Sequence, residues 1–327
     1  MTTVLDQAAG EEWAIYHADA CDALAGLAEG SVHYSIHSPP FCSLYTFSDD
    51  PRDLSNCADD FTFWRHYGFV IEHLFRVTMP GRLASIHCMN LPTSKFRDGF
   101  IGLRDFRGEI IRLFEHEGFY YHSEVCIRKD PVSAMQRSKS LGLLHKQLVK
   151  DSSLSRQAVA DYIVTMRKPG DNAEPIKGRL DRYYGTDARI AAEDPGVRAS
   201  HEAGSYSVAV WQRYAEPVWM DVSQGDVLSR KEARAEEDER HIAPLQLTVI
   251  RRCLQLWTNP GEIVLSPFAG IGSEGYVAIE MDRRFLGIEL KKSYYDQAVA
   301  NLTAAERSKT VGTLFGAAGG LHRGIPR

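Results

Sequence analysis

No apolar run in this chain of 327 residues approaches the roughly 20 residues that cross a membrane as a helix, so no membrane partner is expected. Met1 to Gly10 lacks the basic, apolar and small-residue blocks of a secretory signal, which makes the cytosol the expected location. The six cysteines, Cys21, Cys42, Cys57, Cys88, Cys126 and Cys253, form no C-x-x-C pair, and the histidines complete no metal-ligand spacing. Thiols without disulfides or zinc are therefore expected. Internal repeats and low-complexity tracts are missing as well, which excludes solenoid and fibrous classes. What remains, 44% hydrophobic and 25% charged residues, is the composition of an ordinary globular protein. The net charge of -5 argues against indiscriminate coating of nucleic acid. The average hides a basic middle, because Arg128 to Arg189 carries thirteen Lys/Arg against seven Asp/Glu.

Hydrophobic periodicity alternates along the chain. Short β-rich runs at Trp13 to Ala18, Val32 to His37, Arg82 to Cys88, Phe119 to Ile127, Asp161 to Met166, Ile263 to Ser266 and Phe285 to Glu289 read as strands. Between them, helical stripes are read at Asp19 to Leu27, from Phe61 to Val77, Asp105 to Glu117, Leu245 to Trp257, Tyr276 to Met281 and Tyr294 to Ala305. Met79-Pro80-Gly81 reads as the stop after the second of these. Strands alternating with helices predict an α/β domain built on a parallel sheet. Pro131 to Gln157 reads as a polar helical insertion, and periodicity fades from Pro169 to Arg240.

Two short motifs carry the chemistry. Ser38-Pro39-Pro40-Phe41 closes an early strand, and its prolines stiffen a polar tip that offers a hydroxyl and an unpaired carbonyl. Such a pair can accept hydrogen bonds from an amino group, and Phe41 adds a stacking face. Ligands of open α/β sheets bind outside the carboxyl ends of strands, where this tip lies. Late in the chain, Ile263-Val264-Leu265 runs into Phe268-Ala269-Gly270-Ile271-Gly272-Ser273-Glu274-Gly275, a formal G-x-G-x-x-G between strand and helix. It predicts a nucleotide, and Glu289 at the end of the next strand is placed to accept from ribose hydroxyls. NAD and S-adenosyl-L-methionine both fit, but Glu289 comes fourteen positions after Gly275, sooner than the roughly twenty of the dinucleotide fingerprint.

Taken in this order, the motifs resemble the β-group of amino-methylating DNA methyltransferases, in which the catalytic tetrapeptide precedes the cofactor motif. Ser38-Pro39-Pro40-Phe41 looks like the catalytic S/D/N-P-P-Y/F, and Leu265 to Gly272 is similar to L-D-P-F-A-G-S-G, with Ser266 standing where the family usually has Asp. His241-Ile242-Ala243-Pro244-Leu245 looks like H-P-A-P-F, with Ile242 and Leu245 replacing Pro and Phe. The resemblance implies a Rossmann-like class I methyltransferase sheet, mostly parallel with one antiparallel strand and a circularly permuted motif order. It implies S-adenosyl-L-methionine as cofactor, with Asp19 near the adenine, Glu289 on the ribose, His241 and Pro244 at the methionine part, and Ser266, Phe268, Ala269, Gly270 and Gly272 in the turn. The implied division is a catalytic half at 11–168 with its basic insertion at 131–157, target recognition at 169–240, a cofactor half at 241–308 and a flexible tail at 309–327. The implied partner is double-stranded DNA, with a base flipped into the pocket. Ser38 in first place favours cytosine N4, with adenine N6 as the alternative; an RNA or protein amino-methyltransferase and an NAD-dependent oxidoreductase are more distant. A homodimer and a cognate restriction endonuclease stay open as partners, and the location implied is the cytoplasm of a bacterium or of a phage host, at the nucleoid when on DNA.

Overall fold

The computed structural model describes residues 4–41, 50–57, 59–132, 145–177, 179–186, 205–229 and 244–319. Its strands are β1 Val4–Ala9, β2 Trp13–Ala18, β3 Val32–His37, β4 Thr78–Met89, β5 Leu91–Pro92, β6 Leu103–Arg104, β7 Tyr120–Ile127, β8 Asp161–Arg167, β9 Val218–Trp219, β10 Ile263–Ser266 and β11 Arg284–Glu289. The helices are α1 Ala20–Ala25, α2 Asp60–Val77, α3 Lys95–Asp98, α4 Phe106–His116, α5 His145–Lys150, α6 Ser205–Tyr214, α7 Leu247–Trp257, α8 Ser273–Glu280 and α9 Lys292–Gly319. Nine strands form one sheet in the order β1-β2-β11-β10-β3-β4-β8-β7-β9, with β5 and β6 apart as an antiparallel pair. From β2 to β4 every pairing is parallel.

Two strands of the large sheet run against the rest. One antiparallel strand is expected, without a position; β8 is antiparallel to both β4 and β7. The other is β1, which pairs antiparallel with β2 at the sheet edge, in a mostly exposed stretch, VLDQAA, whose residues do not alternate between apolar and polar and so carry little strand signal. The break expected at Met79-Pro80-Gly81 is instead the start of β4, entered directly from α2 through Thr78. Gly81 makes this feasible with φ 74°, a left-handed conformation that favours glycine, and its amide donates to Lys168 O at 3.1 Å. Helix α6 lies where periodicity fades, and α9 continues past Ala305 to Gly319.

The longer helices exist because one face has something to bury. In α2, Asp59 caps the start by accepting from Thr62 N at 2.7 Å, and Phe63, Tyr67, Val70, Ile71, Leu74 and Val77 recur at helical spacing and are buried. They join α1 and α4 on one side of the sheet, against Ala84, Ile86, Cys88, Val164 and Met166. Helices α7, α8 and α9 cover the other side, against Ile15, Tyr34, Ile36, Val264 and Phe285. Burying one such Ile, Leu or Phe contributes about 1.5–3 kcal/mol, so the two layers fix the strand order beneath the site. A register shift between Val32 and Tyr34 lets β3 send Val32 to one layer and Tyr34 and Ile36 to the other.

Candidate functional site

β3 and β10 lie side by side in parallel, with Leu265 opposite Ser35. From β3 the chain proceeds through α2 to β4 on one side; from β10 it proceeds through α8 to β11 on the other. The sheet order therefore reverses between them, and a crevice opens outside their carboxyl ends. A cleft of about 470 Å³ occupies that point, lined by Ser38, Pro39, Pro40 and Phe41 from the first motif and Phe268, Ala269 and Gly270 from the second. Asp19, Pro244 and Glu289 complete the predicted wall. Ser266 lies wholly buried and does not line the cleft, and its hydroxyl has no hydrogen-bond partner among the described residues. His241 lies outside the described residues.

The three glycines of the late motif have three different jobs. Gly270 sits at φ 53° on the cleft wall, and a Cβ built there meets nothing within 4 Å. Gly272, at φ 83°, precedes the first turn of α8, and its Cβ would come 3.2 Å from Ala298 Cβ in α9, so it faces away from the cleft. A Cβ on Gly275 would strike Phe285 and Leu302 at 2.4 and 2.5 Å; its absence lets α8 pack closely against β11 and α9.

Acids line this side. Glu289 accepts from Gly270 N through Oε2 and from Lys291 N through Oε1, both at 2.8 Å, which locks the glycine turn to the end of β11. Burial pushes its carboxyl up to about 7. Glu274, in the first turn of α8, is buried at the same cleft and was missed by the motif reading because it stands at a variable position of the glycine pattern. Burial, and secondarily the charge of Glu289, push it up to about 8. Asp19 caps α1 by accepting from Cys21 N at 2.9 Å and Asp22 N at 3.3 Å, while its carboxylate lines the cleft. Asp53 reaches the wall from a loop whose residues carry no periodic signal.

The tetrapeptide is braced from behind. His37 is wholly buried, with Nε2 3.0 Å from the Tyr67 hydroxyl and its ring 5.8 Å from that of Phe268. Burial drives its imidazole down to about 3, so it stays neutral. Phe41 meets Phe106 edge to face at 5.7 Å. Ser38 Oγ lies 2.8 Å from Nδ1 of His87, a partner no motif reading found. Only strand pairing brings the two together: His37 pairs with Ile86, which sets residue 87 beside residue 38.

The basic middle is partly consumed by structure. Lys168 donates to Phe75 O and Thr78 O at 2.7 Å, satisfying carbonyls at the C-terminus of α2, and Lys129 pairs with Asp161. Tyr183 and Tyr184, within the 169–240 stretch, are partly buried, with Tyr183 stacked on Tyr214 and Tyr184 below Arg182 and Arg251.

This geometry has known counterparts. The N6/N4 DNA methylase family model matches residues 32–300, and the chain belongs to that family. Among curated relatives, Type II methyltransferase M.Cfr9I of Citrobacter freundii is 44% identical over 62 residues, 19% of this chain and 21% of its own length. DNA adenine methyltransferase YhdJ of Escherichia coli K12 is 37% identical over 70 residues, 21% of this chain and 24% of its own length. The chain thus matches only about a fifth to a quarter of these relatives' lengths. Two solved structures share the fold over most of both chains. The cytosine-N4-specific PvuII DNA methyltransferase aligns with a TM-score of 0.59 at 13% identity, covering 89% of this chain and 86% of its own. TTHA0409 of Thermus thermophilus, solved in complex with S-adenosyl-L-methionine, aligns with a TM-score of 0.56 at 21% identity, covering 88% and 93%.

Proposed function

We propose that this protein is a DNA methyltransferase that moves a methyl group from S-adenosyl-L-methionine to the exocyclic amino nitrogen of a flipped base, cytosine N4 by preference. The observation that carries the reading is the meeting of Ser38 to Phe41 with Gly270 and Glu289 in one cleft at the reversal of strand order. The residues fit the cofactor. Gly270 leaves open space where a side chain would stand, and Asp19, Asp53, Glu274 and Glu289 surround that space with acceptors suited to ribose hydroxyls and a cationic ligand. Glu289 and Asp19 would hold the adenosine part, while Pro244 and Phe268 to Gly270 wall the remainder. When bound, S-adenosyl-L-methionine supplies an electrophilic methyl group.

The protein's part is to ready the nucleophile. An exocyclic amino nitrogen is weak because its lone pair is delocalised into the ring. Ser38 Oγ and the Pro39 carbonyl would accept its two protons, drawing the nitrogen toward a tetrahedral form, and the Pro39-Pro40 turn keeps both acceptors fixed. Phe41, held by Phe106, offers a ring to the extruded base, whose unstacking costs a few kcal/mol.

Adenine N6 is the second reading, favoured by the likeness to YhdJ, a DNA adenine methyltransferase. Incubation with tritiated S-adenosyl-L-methionine and either duplex DNA or RNA, followed by nucleoside mass spectrometry, tests both. Label in N4-methylcytosine of DNA is the expected result; N6-methyladenine alone would replace the base, and label in RNA only would replace the substrate. Ser38→Ala is expected to lower single-turnover methylation about a hundredfold while cofactor affinity stays within twofold, the pattern of an interaction made at the reacting nitrogen.

A further inference from the structure

Behind Ser38 stands a chain of polar groups that the tetrapeptide chemistry alone does not require. Ser38 Oγ lies 2.8 Å from His87 Nδ1, His87 Nε2 lies 3.2 Å from Asp161 Oδ2, and Asp161 Oδ1 lies 2.5 Å from Lys129 Nζ. His87 is 7% exposed and Asp161 1%, so water does not compete for these contacts. The sheet builds the line: Met89 pairs with Asp161 and His87 with Ile163, which puts His87 and Asp161 on one face of adjacent antiparallel strands.

The chemistry of the line fixes its proton positions. Asp161 is ionised: burial works against its charge, yet the Lys129 ammonium and His87 together hold its carboxyl below the ordinary value. The Asp161 carboxylate 3.2 Å from Nε2 favours hydrogen on that nitrogen in the neutral imidazole, which leaves the lone pair on Nδ1. The Ser38 hydroxyl then donates to Nδ1. Its oxygen lone pairs are left facing the cleft, the orientation an amino substrate needs.

We propose that His87, oriented by Asp161 and Lys129, is the positioning residue and terminal proton acceptor of this site, acting on the substrate amino group through Ser38. The inference rests on the amino-methyltransferase reading above. Methyl transfer leaves the nitrogen with one proton more than the product carries. That N–H bond breaks as a new Oγ–H bond forms on Ser38, and the original Oγ–H bond breaks as Nδ1–H forms on His87. The resulting imidazolium lies between Ser38 and the Asp161 carboxylate, and its proton then passes to solvent. No oxidant, metal or further reactant is needed.

The same geometry sets a pH dependence. If His87 is already protonated, Nδ1 donates to Ser38 and turns the hydroxyl proton toward the cleft, where it repels an amino group. Activity therefore requires His87 in its neutral form. The groups facing the pair are Lys129 and Ser38, with Cys88 on β4 near Asp161 and the Arg107–Glu124 ion pair beyond. Cys88 is held protonated by burial, and Lys129 balances Asp161.

Two measurements test this. In ligand-free protein labelled with ¹⁵N-histidine, the ring correlations of His87, assigned by their loss in His87→Asn, should report the Nε2–H tautomer. An Nδ1–H tautomer would overturn the relay. In single-turnover methylation of genomic DNA from a methylation-deficient bacterium, wild-type protein should show an acid limb. His87→Asn, whose amide oxygen can still accept from Ser38 but cannot take its proton, should be about a hundredfold slower and lack that limb, with S-adenosyl-L-methionine affinity within twofold. Wild-type rate and limb in His87→Asn would overturn the proposal. If the wild-type protein transfers no methyl group to DNA or RNA, the underlying reading fails, whereas the tautomer, read without substrate, judges the arrangement on its own.

Discussion

At the scale of single residues, the two glycines nearest the turn separate binding from stability. Gly270→Val would put a side chain into open space of the cleft, and should weaken S-adenosyl-L-methionine binding by tenfold or more at the cost of about 1–2 kcal/mol of left-handed strain. Gly272→Val would drive a branched side chain into Ala298 and Leu302, and should lower the melting temperature more than Gly270→Val does. Calorimetric titration and thermal melts check the pair; equal loss of affinity with no loss of stability at Gly272 would contradict the geometry. The acids make a pH prediction. With Glu274 pushed up to about 8 and Glu289 to about 7, the folded protein keeps protons that the unfolded chain releases above about 4.5. Stability without cofactor is therefore full below that value and falls as pH rises through 7 and 8. A drop of roughly 3–6 °C between pH 5 and pH 8.5 is expected, and Glu274→Gln, which cannot ionise, should flatten it.

At the scale of elements, legibility in the sequence followed the kind of force at work. Strands β3 and β10 and helices α2 and α7 were readable because each buries a continuous apolar stripe, and that periodicity is local. The cleft residues carried by tight turns, Ser38 to Phe41 and Phe268 to Gly270, were readable because proline and glycine constrain the backbone within a few positions. β1 was not, because its mostly exposed residues show no apolar–polar alternation and are held by backbone pairing to β2, which any side chain permits. Nor was the direct passage from α2 into β4: Pro80 and Gly81 look like a stop, and the connection depends on Lys168, 90 positions away, closing the helix carbonyls. Lys168→Met should therefore expose the loss of those hydrogen bonds as about 1–3 kcal/mol in denaturant melts, although nothing in its sequence neighbourhood marks it. His87 escaped the motif reading for the same reason. Its partners, Ser38 and Asp161, lie 49 and 74 positions away and meet it only through strand register.

At the scale of the whole molecule, a buried cation is one of the ties between the stretch proposed for target recognition and the residues that follow it. Arg252, on α7, is wholly buried; its Nε donates to Tyr184 O and an Nη to Asp221, both at 2.7 Å. The guanidinium lies 4.9 Å from the Trp219 ring centre and 5.0 Å from that of Tyr214, and Gly185 is small because a Cβ there would reach its nitrogen at 2.4 Å. Asp221 also accepts from the Tyr183 hydroxyl, so one carboxylate gathers both sides of the clasp. Removing the cation while keeping the volume, as in Arg252→Met, leaves Asp221 partly buried with its main charge partner gone. Breaking such a pair costs about 3–5 kcal/mol, whereas replacing both charges is often neutral. Arg252→Met should thus lower the melting temperature by several degrees, and adding Asp221→Leu should restore part of it. Since Arg252 is not among the cleft residues, affinity for S-adenosyl-L-methionine should change little. If the clasped stretch reads DNA, affinity for duplex DNA should fall in the single variant. Unchanged DNA affinity in a folded Arg252→Met protein would place the recognition surface elsewhere.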